Sequence, residues 1–286
     1  ARPSHRRLRR PHRAIFGLMK YRGRIAPTPT GYLHLGHART FWIAQERALQ
    51  HDGTLLYRNE DLDPARCKPE FRTTTLEDLR WLGLEWEGEP MDQSGRMPEY
   101  RAAFETLRTG GHLFPCACSR KDIREATAAP HSEHGEPIYP GTCRGNPSIL
   151  NTQNSTEFNW RFRVPENEPI EFTDAHFGPQ KYIAGKDFGD FPVWQKNGLP
   201  AYQLAVMVDD AAMEITEVVR GADLLVSTAR QILLYRALDL TPPAFYHCDL
   251  MHDENGERLA KRHDSLSLRE LRAQGNTPEM LRAQWG

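Results

Sequence analysis

The sequence predicts an α/β fold built on a parallel sheet, and three features predict it. Residues 21–26 form a short strand-like run, a helical pattern follows a proline-rich turn, and residues 54–58 make a second apolar strand-like run. Strand, turn, helix, strand is the opening of a parallel sheet, because parallel neighbours need a long crossover and that crossover is usually a helix. Ligands of such sheets lie beyond the carboxyl ends of the strands, so the turn at residues 27–37 is expected to border a binding crevice.

Each element follows from its residues. Pro27-Thr28-Pro29-Thr30-Gly31 ends the first strand, because proline fixes φ and glycine admits the turn. Ala38, Phe41, Trp42, Ala44, Gln45, Ala48 and Leu49 recur at three and four until His51-Asp52-Gly53 stops the helix. Residues 71–82 and 98–108 repeat the amphipathic pattern and are predicted as helices. From 112 to 154 the character changes to cysteines, prolines and histidines with few periodic apolar positions, as in an insertion pinned by metal. Residues 157–164 alternate strictly and predict an antiparallel strand. Further on, 213–219 reads as a strand, 222–238 as a helix and 245–248 as a short buried strand.

With 286 residues, 39% hydrophobic and 26% charged, the chain can bury a sizeable core, which excludes a mostly disordered protein. No apolar run approaches the roughly 18 residues that span a bilayer, and no export signal is evident, so a soluble cytoplasmic protein without membrane contact is expected. Charge is balanced at 37 basic and 38 acidic residues, yet residues 1–18 hold Arg2, Arg6, Arg7, Arg9, Arg10, Arg13 and no acid. Subtracting those six leaves 31 basic against 38 acidic residues, a formal charge of −7. A globally basic footprint is thereby excluded, and any RNA contact must use a local patch. Residues 1–18 read as a disordered extension before Met19. Five unevenly spaced cysteines are too few for a disulfide framework and imply reduced thiols. Cys116, Cys118 and Cys143 cluster and suggest metal, whereas Cys67 and Cys248 stand alone and suggest packing.

The most informative segment runs Arg24-Ile-Ala-Pro-Thr-Pro-Thr-Gly-Tyr-Leu-His-Leu-Gly-His37. His34 and His37, three apart at a helix start, can face one anion alongside unpaired backbone N–H groups and the positive end of the dipole. Gly36 leaves room for a nucleotide against the backbone. This suits a triphosphate whose charge grows at the bridging oxygen as pyrophosphate departs.

That segment resembles the HIGH signature of class I aminoacyl-tRNA synthetases, and its lead-in is similar to their glutamyl branch. Asn255-Gly-Glu-Arg-Leu-Ala-Lys-Arg-His263 resembles the second signature, the KMSKS loop, in its K-L-S-K-R form. Lys261 matches the second lysine, Arg258 keeps the charge of the first, and Ala260 replaces a serine and loses its hydroxyl. The resemblance implies a Rossmann-like parallel-sheet nucleotide-binding domain that takes ATP with Mg²⁺. It places ATP against His34, Gly36, His37, Arg258 and Lys261, with His34, His37 and Lys261 acting in catalysis. It places L-glutamate against Arg24, Ile25, Ala26, Pro27, Thr28, Glu60, Tyr202 and Arg220. Arg24 and Arg220 offer forked donors suited to carboxylates, and Glu60 offers an acid just past a strand end.

Cys116-Ala-Cys118 followed by Tyr139-Pro-Gly-Thr-Cys143 resembles the zinc knob of the same family. Three thiolates and one further donor make a closed, structural tetrahedral site for one zinc ion. Chemistry alone nominates His112, His131 or His134 as the fourth ligand, whereas similarity to a tyrosine-using subgroup nominates Tyr139.

Only 25 residues follow Lys261, too few for the anticodon-binding domain of conventional glutamyl enzymes. From about Tyr21 onward the chain is most similar to the branch that transfers glutamate to the queuosine base in the anticodon of tRNA(Asp). That resemblance implies L-glutamate, ATP and queuosine-containing tRNA(Asp) as partners of a monomeric enzyme. The alternatives are a truncated conventional enzyme charging the 3′ end of tRNA(Glu), and a catalytically silent RNA-binding paralogue. The expected layout is an extension at 1–18, catalytic halves at 19–111 and 201–240, an inserted zinc-binding subdomain at 112–200, and a KMSKS-like loop with a C-terminal helical segment at 241–286.

Overall fold

The computed structural model describes residues 20–119, 121–123, 138–146, 158–252 and 267–285. The arginine-rich segment, His131, His134 and the second signature with Arg258, Ala260 and Lys261 lie outside the described residues.

β1 (Arg22–Ile25) and β2 (Thr54–Asn59) run parallel with Arg22 opposite Thr54, and α1 (Leu35–Gln50) is the crossover between them. This is the opening unit that the sequence predicts. α2 (Pro69–Leu82) starts on a proline and ends at Gly83, whose φ of 89° is the left-handed helix stop that favours glycine. β3 (Met91–Asp92) then joins β2 in parallel, and α3 (Met97–Thr109) follows.

In the second half, β9 (Glu217–Gly221) and β10 (Ala244–Cys248) pair in parallel around α5 (Leu225–Ala237). Thr216 joins the two halves: its N–H donates to the Arg22 carbonyl and its hydroxyl accepts from the Arg22 N–H, both at 2.9 Å. β1 and β9 lie side by side as the edges of two sheets, so the parallel strands follow the spatial order β3-β2-β1-β9-β10. β1 and β9 send their chains to opposite sides, and the crevice beyond their carboxyl ends is where open α/β sheets bind ligands.

The inserted region is antiparallel. β4 (Leu113–Cys116), β5 (Asn159–Phe162) and β8 (Pro192–Trp194) form one small sheet, and β5 realises the antiparallel strand expected over 157–164. β6 (Pro169–Asp174) and β7 (Gly178–Ile183) form a hairpin that does not stay with that sheet. β6 pairs in parallel with β10 through Asp174 and Phe245, so the hairpin extends the main sheet in the order β7-β6-β10-β9.

One predicted strand begins late. Met213 caps a helix, α4 (Tyr202–Ala212), and Glu214 takes φ 53°, so the strand expected over 213–219 starts only at Glu217. α4 itself is buried on nearly every face between Gln203 and Asp210, Val208 being the partly exposed position.

Two apolar cores hold the layers. Ile25, Phe41, Leu79 and Leu82 pack with Leu268 and Leu281 of the short helices α6 (Leu268–Ala273) and α7 (Pro278–Arg282). Phe104, Trp160, Trp194, Leu204 and Leu233 form the second core, between α3, α4, α5 and the small sheet. Before α6, Ser267 makes a reciprocal capping box with Glu270, and Leu268 N–H donates to the Leu33 carbonyl at 2.7 Å. That bond ties the C-terminal segment to the turn that carries His34. Among the described residues, no helix is long and apolar enough to cross a membrane.

Candidate active site

Beyond β1 and β9 lies a cavity of about 460 Å³. Arg24, Ala26, Pro27, Thr28, His34, Gly36, His37, Glu60, Tyr202 and Arg220 all line it. Ile25 does not: strand alternation turns its side chain into the first core, where it is fully buried. Any contact of Ile25 with a ligand is left to its backbone.

The helix start has the form an anion needs. His34 is the N-cap of α1, with φ −105° and ψ 168°, and its carbonyl accepts from the N–H groups of His37 and Ala38 at 3.1 and 3.2 Å. The two imidazoles stack with centroids 3.7 Å apart. No acid occupies the first turn, so the positive end of the helix dipole is not offset locally. Gly36 has a packing reason of its own: a Cβ there would come within 3.2 Å of the His34 ring.

Opposite the helix start lies a buried charge cluster. Arg24 donates through Nη1 to the Val219 carbonyl at 2.8 Å and through Nε to Asp210 at 3.3 Å. Arg58, fully buried, reaches Asp210 at 2.6 Å and Glu60 at 3.0 Å. Asp209 accepts from Arg96, Gln93 and Tyr100, each at 2.7 Å. With Asp209 assigned to Arg96, the cluster holds Arg24, Arg58 and Arg220 against Asp210 and Glu60, an excess of one positive charge. Burial pushes the Asp210 pKa up, but Arg58 and Arg24 outweigh it and hold the carboxyl below its ordinary range. At Glu60 the balance reverses, and burial raises the pKa despite Arg58.

Arg220 is 4% exposed, and burial, with Arg24 adding to it, lowers its pKa. Its Nε donates to His247 at 3.1 Å and its Nη2 to Thr228 at 2.6 Å. Its Nη1 is buried and meets no partner at hydrogen-bond geometry among the described residues, although Tyr202 lies close enough to the guanidinium to oppose the lowering of its pKa. A buried unpaired N–H costs about 1–3 kcal/mol, more when charged, so its place on a cavity wall points to an anionic ligand. Tyr202, at the start of α4, is 40% exposed and flanks the same cavity.

Sequence reasoning did not nominate Arg58, Asp209 or Asp210. Asp210 has its cationic partners 152 and 186 positions away, so no local spacing reveals the pairing. The available signal was two adjacent acids ending an apolar run, since buried carboxylates require cations.

The cysteine cluster is a second, separate centre. The sulfurs of Cys116, Cys118 and Cys143 all lie within 4.8 Å of one another. Cys118 and Cys143 are 3.6 Å apart, and the Tyr139 hydroxyl lies 3.4 Å from Cys116 and 3.7 Å from Cys118. A tetrahedral zinc with sulfurs at about 2.3 Å and an oxygen at about 2.0 Å requires S–S near ~3.8 Å and S–O near ~3.5 Å. The Cys118–Cys143 separation and the distances from the Tyr139 hydroxyl to Cys116 and Cys118 match those values. Arg161 supports an anionic set: its Nε donates to Cys116 at 3.3 Å and its guanidinium lies 4.2 Å from the Tyr139 ring centroid. His112 stacks on Phe162 at 5.9 Å and stays outside the cluster.

Residues 20–285 match the family described as tRNA synthetases class I (E and Q), catalytic domain. The chain is 46% identical over 266 residues to a protein named Glutamyl-Q tRNA(Asp) synthetase from Nitratidesulfovibrio vulgaris, covering 89% of this chain and 82% of that one. It is 38% identical over 267 residues to a Glutamate--tRNA ligase from Aquifex aeolicus, covering 92% of this chain but 56% of that one. A solved glutamate tRNA ligase from Elizabethkingia meningosepticum, in complex with its amino acid, matches with a TM-score of 0.72 at 26% identity, over 90% of this chain and 54% of that chain. With the crevice, the helix start and the parallel strand order agreeing, the chain belongs to the class I tRNA synthetases (E and Q), aminoacyl-transferring ligases, and carries their catalytic domain.

Proposed function

We propose that the enzyme activates L-glutamate with ATP to glutamyl-adenylate and passes the glutamyl group to the queuosine base in the anticodon of tRNA(Asp). One observation carries the activation half: two buried arginines, an acid and a histidine-bearing helix start share one crevice. Arg24 and Arg220 take the side-chain carboxylate of glutamate, Arg220 through Nη1, and this uses the cluster's excess positive charge. Glu60 takes the α-ammonium. Glutamine is disfavoured because its neutral amide gains less from two guanidinium groups.

The α-carboxylate of glutamate attacks the α-phosphorus of ATP in line, and the bond to the bridging oxygen breaks as pyrophosphate leaves. His34, His37 and the positive end of the α1 dipole stabilise the charge moving onto pyrophosphate, with Mg²⁺ carried by ATP. No protein nucleophile is needed, so positioning and electrostatics supply the rate. Arg258 and Lys261 are assigned to the phosphates. Supporting this, Met251 lines the crevice on one side of their segment, and Ser267 on the other side is bridged to His34. One structural zinc is assigned to Cys116, Cys118, Tyr139 and Cys143, outside the reaction path. In the second step a nucleophile of the modified base displaces AMP from the adenylate.

The choice of RNA is supported by the relatives named for glutamyl-queuosine synthesis, of which this chain spans about four fifths. Those relatives are 42–46% identical to the chain, against 38–41% for the relatives named glutamate–tRNA ligase. Acylation of queuosine-containing tRNA(Asp), unmodified tRNA(Asp) and tRNA(Glu) with labelled glutamate tests the proposal. Labelling of the first alone is expected; labelling of tRNA(Glu) alone overturns the choice of acceptor.

A further inference from the structure

Arg220 is held from behind by a chain of groups that the reaction itself does not use. Asp174, at the end of β6, accepts from the backbone N–H groups of His176 and Phe177 at 3.0 and 2.9 Å. It also accepts from the His247 backbone N–H at 3.1 Å and lies 2.6 Å from His247 Nδ1. A carboxylate so surrounded by donors only accepts, so Nδ1 must carry the imidazole proton. Nε2 is then a lone pair, and it faces Arg220 Nε at 3.1 Å and the Thr228 hydroxyl at 3.2 Å. Thr228 satisfies both neighbours, accepting from Arg220 Nη2 and donating to Nε2.

We propose that Asp174 and His247 form a positioning relay which fixes the Arg220 guanidinium, through a neutral acceptor, with Nη1 left for the substrate carboxylate. This rests on the reading of Arg220 as a glutamate contact. The neutrality of the acceptor is the point of the arrangement. A carboxylate placed directly on Arg220 would hold it equally well, but would offset the positive charge that the substrate needs. An imidazole orients the fork and leaves the charge available, while Asp174 fixes which imidazole nitrogen is the acceptor. Burial and the positive charge of Arg220 push the His247 pKa down to about 4, against the pull of Asp174. The other groups facing His247 are Thr228, Arg24 at longer range, and the Phe245 ring at 6.3 Å, so the imidazole stays neutral through the ordinary pH range. Asp174 comes from the inserted hairpin, so the relay also couples the insertion to the amino-acid end of the crevice.

Glutamate-dependent ATP–pyrophosphate exchange by His247→Ala, His247→Gln and Arg220→Ala tests the relay. His247→Ala is expected to raise the glutamate KM about 10–100-fold while kcat and the ATP KM stay within about threefold, the loss of uniform binding through a charged hydrogen bond. His247→Gln keeps a side-chain acceptor within reach of Arg220 and is expected to recover much of that loss. Where His247→Ala fails to fold, Asp174→Asn is read in its place, with the same selective rise in glutamate KM expected. An unchanged glutamate KM, or an equal loss in kcat and in the ATP KM, overturns the relay. A rise with Arg220→Ala but not with His247→Ala overturns the relay alone; no rise with Arg220→Ala overturns the glutamate assignment on which it rests.

Discussion

Replacing Asp210 by alanine unbalances the charge beneath the crevice. Asp210 is 3% exposed and takes Arg58 at 2.6 Å and Arg24 at 3.3 Å. Without it, Arg58 keeps Glu60, while Arg24 keeps the Val219 carbonyl as its described contact. Three buried arginines then face one pocket carboxylate, Glu60. Deleting one partner of a buried ion pair costs about 3–5 kcal/mol, because the remaining cation stays desolvated without compensation. For a protein of this size each kcal/mol moves the midpoint by about 2–4 °C, so Tm should fall by about 6–20 °C. Asp210→Asn keeps the shape and one acceptor and should lose less. Arg24 also loses its Nε anchor, so glutamate KM should rise alongside the loss of stability. Thermal unfolding followed by circular dichroism, with pyrophosphate exchange on the same samples, reads both. A Tm for Asp210→Ala within about 2 °C of the parent would refute the reasoning, since that corresponds to less than about 1 kcal/mol.

Three further outcomes follow from the same structure. His247 is buried with its pKa lowered to about 4, so the folded protein binds fewer protons than the unfolded chain between there and the ordinary value near ~6.5. Stability therefore falls as pH drops from about 6.5 towards 4, by up to about 3 kcal/mol, and His247→Gln should flatten that slope in denaturant titrations; equal stability of the parent at pH 7 and 4.5 contradicts it. Lys261→Ala should slow glutamate activation by about 10²–10³, the loss of one preorganised donor to the departing charge, and unchanged pyrophosphate exchange would refute its role. Metal analysis should find one zinc per chain, and chelation should increase proteolysis within 112–147 while ATP binding persists; loss of ATP binding on chelation argues against a purely structural ion.

The opening β1-α1-β2 unit was legible because its signals are local. Ala38, Phe41, Ala44, Gln45 and Ala48 all fall on the buried face of α1, and Pro27 to Gly31 mark the turn. α4 was not legible, because its uninterrupted apolar run from Leu204 to Val208 fits a buried strand as well as a buried helix. The β6–β7 hairpin did carry a usable signal, the alternation of Ile170, Phe172 and their exposed neighbours, but nothing in it says that β6 joins β10 rather than the small sheet. His34, Gly36 and His37 came from motif spacing, and Arg24, Thr28, Glu60, Tyr202 and Arg220 from the family resemblance. Arg58, Asp210, Asp174 and His247 came only from the fold, since a buried charge is satisfied by partners that the chain path brings together. At Ile25 the motif gives only the position along the chain, while the period-two alternation of the strand puts the side chain in the core.

Amino-acid-dependent ATP–pyrophosphate exchange with the purified chain tests most directly whether Arg24, Glu60, Arg220 and the His34–His37 turn work as one pocket. Exchange stimulated by L-glutamate, weakly by glutamine, and reduced in Arg24→Ala and Arg220→Ala through glutamate KM is the predicted result. No glutamate-dependent exchange, or equal stimulation by glutamine, would contradict it.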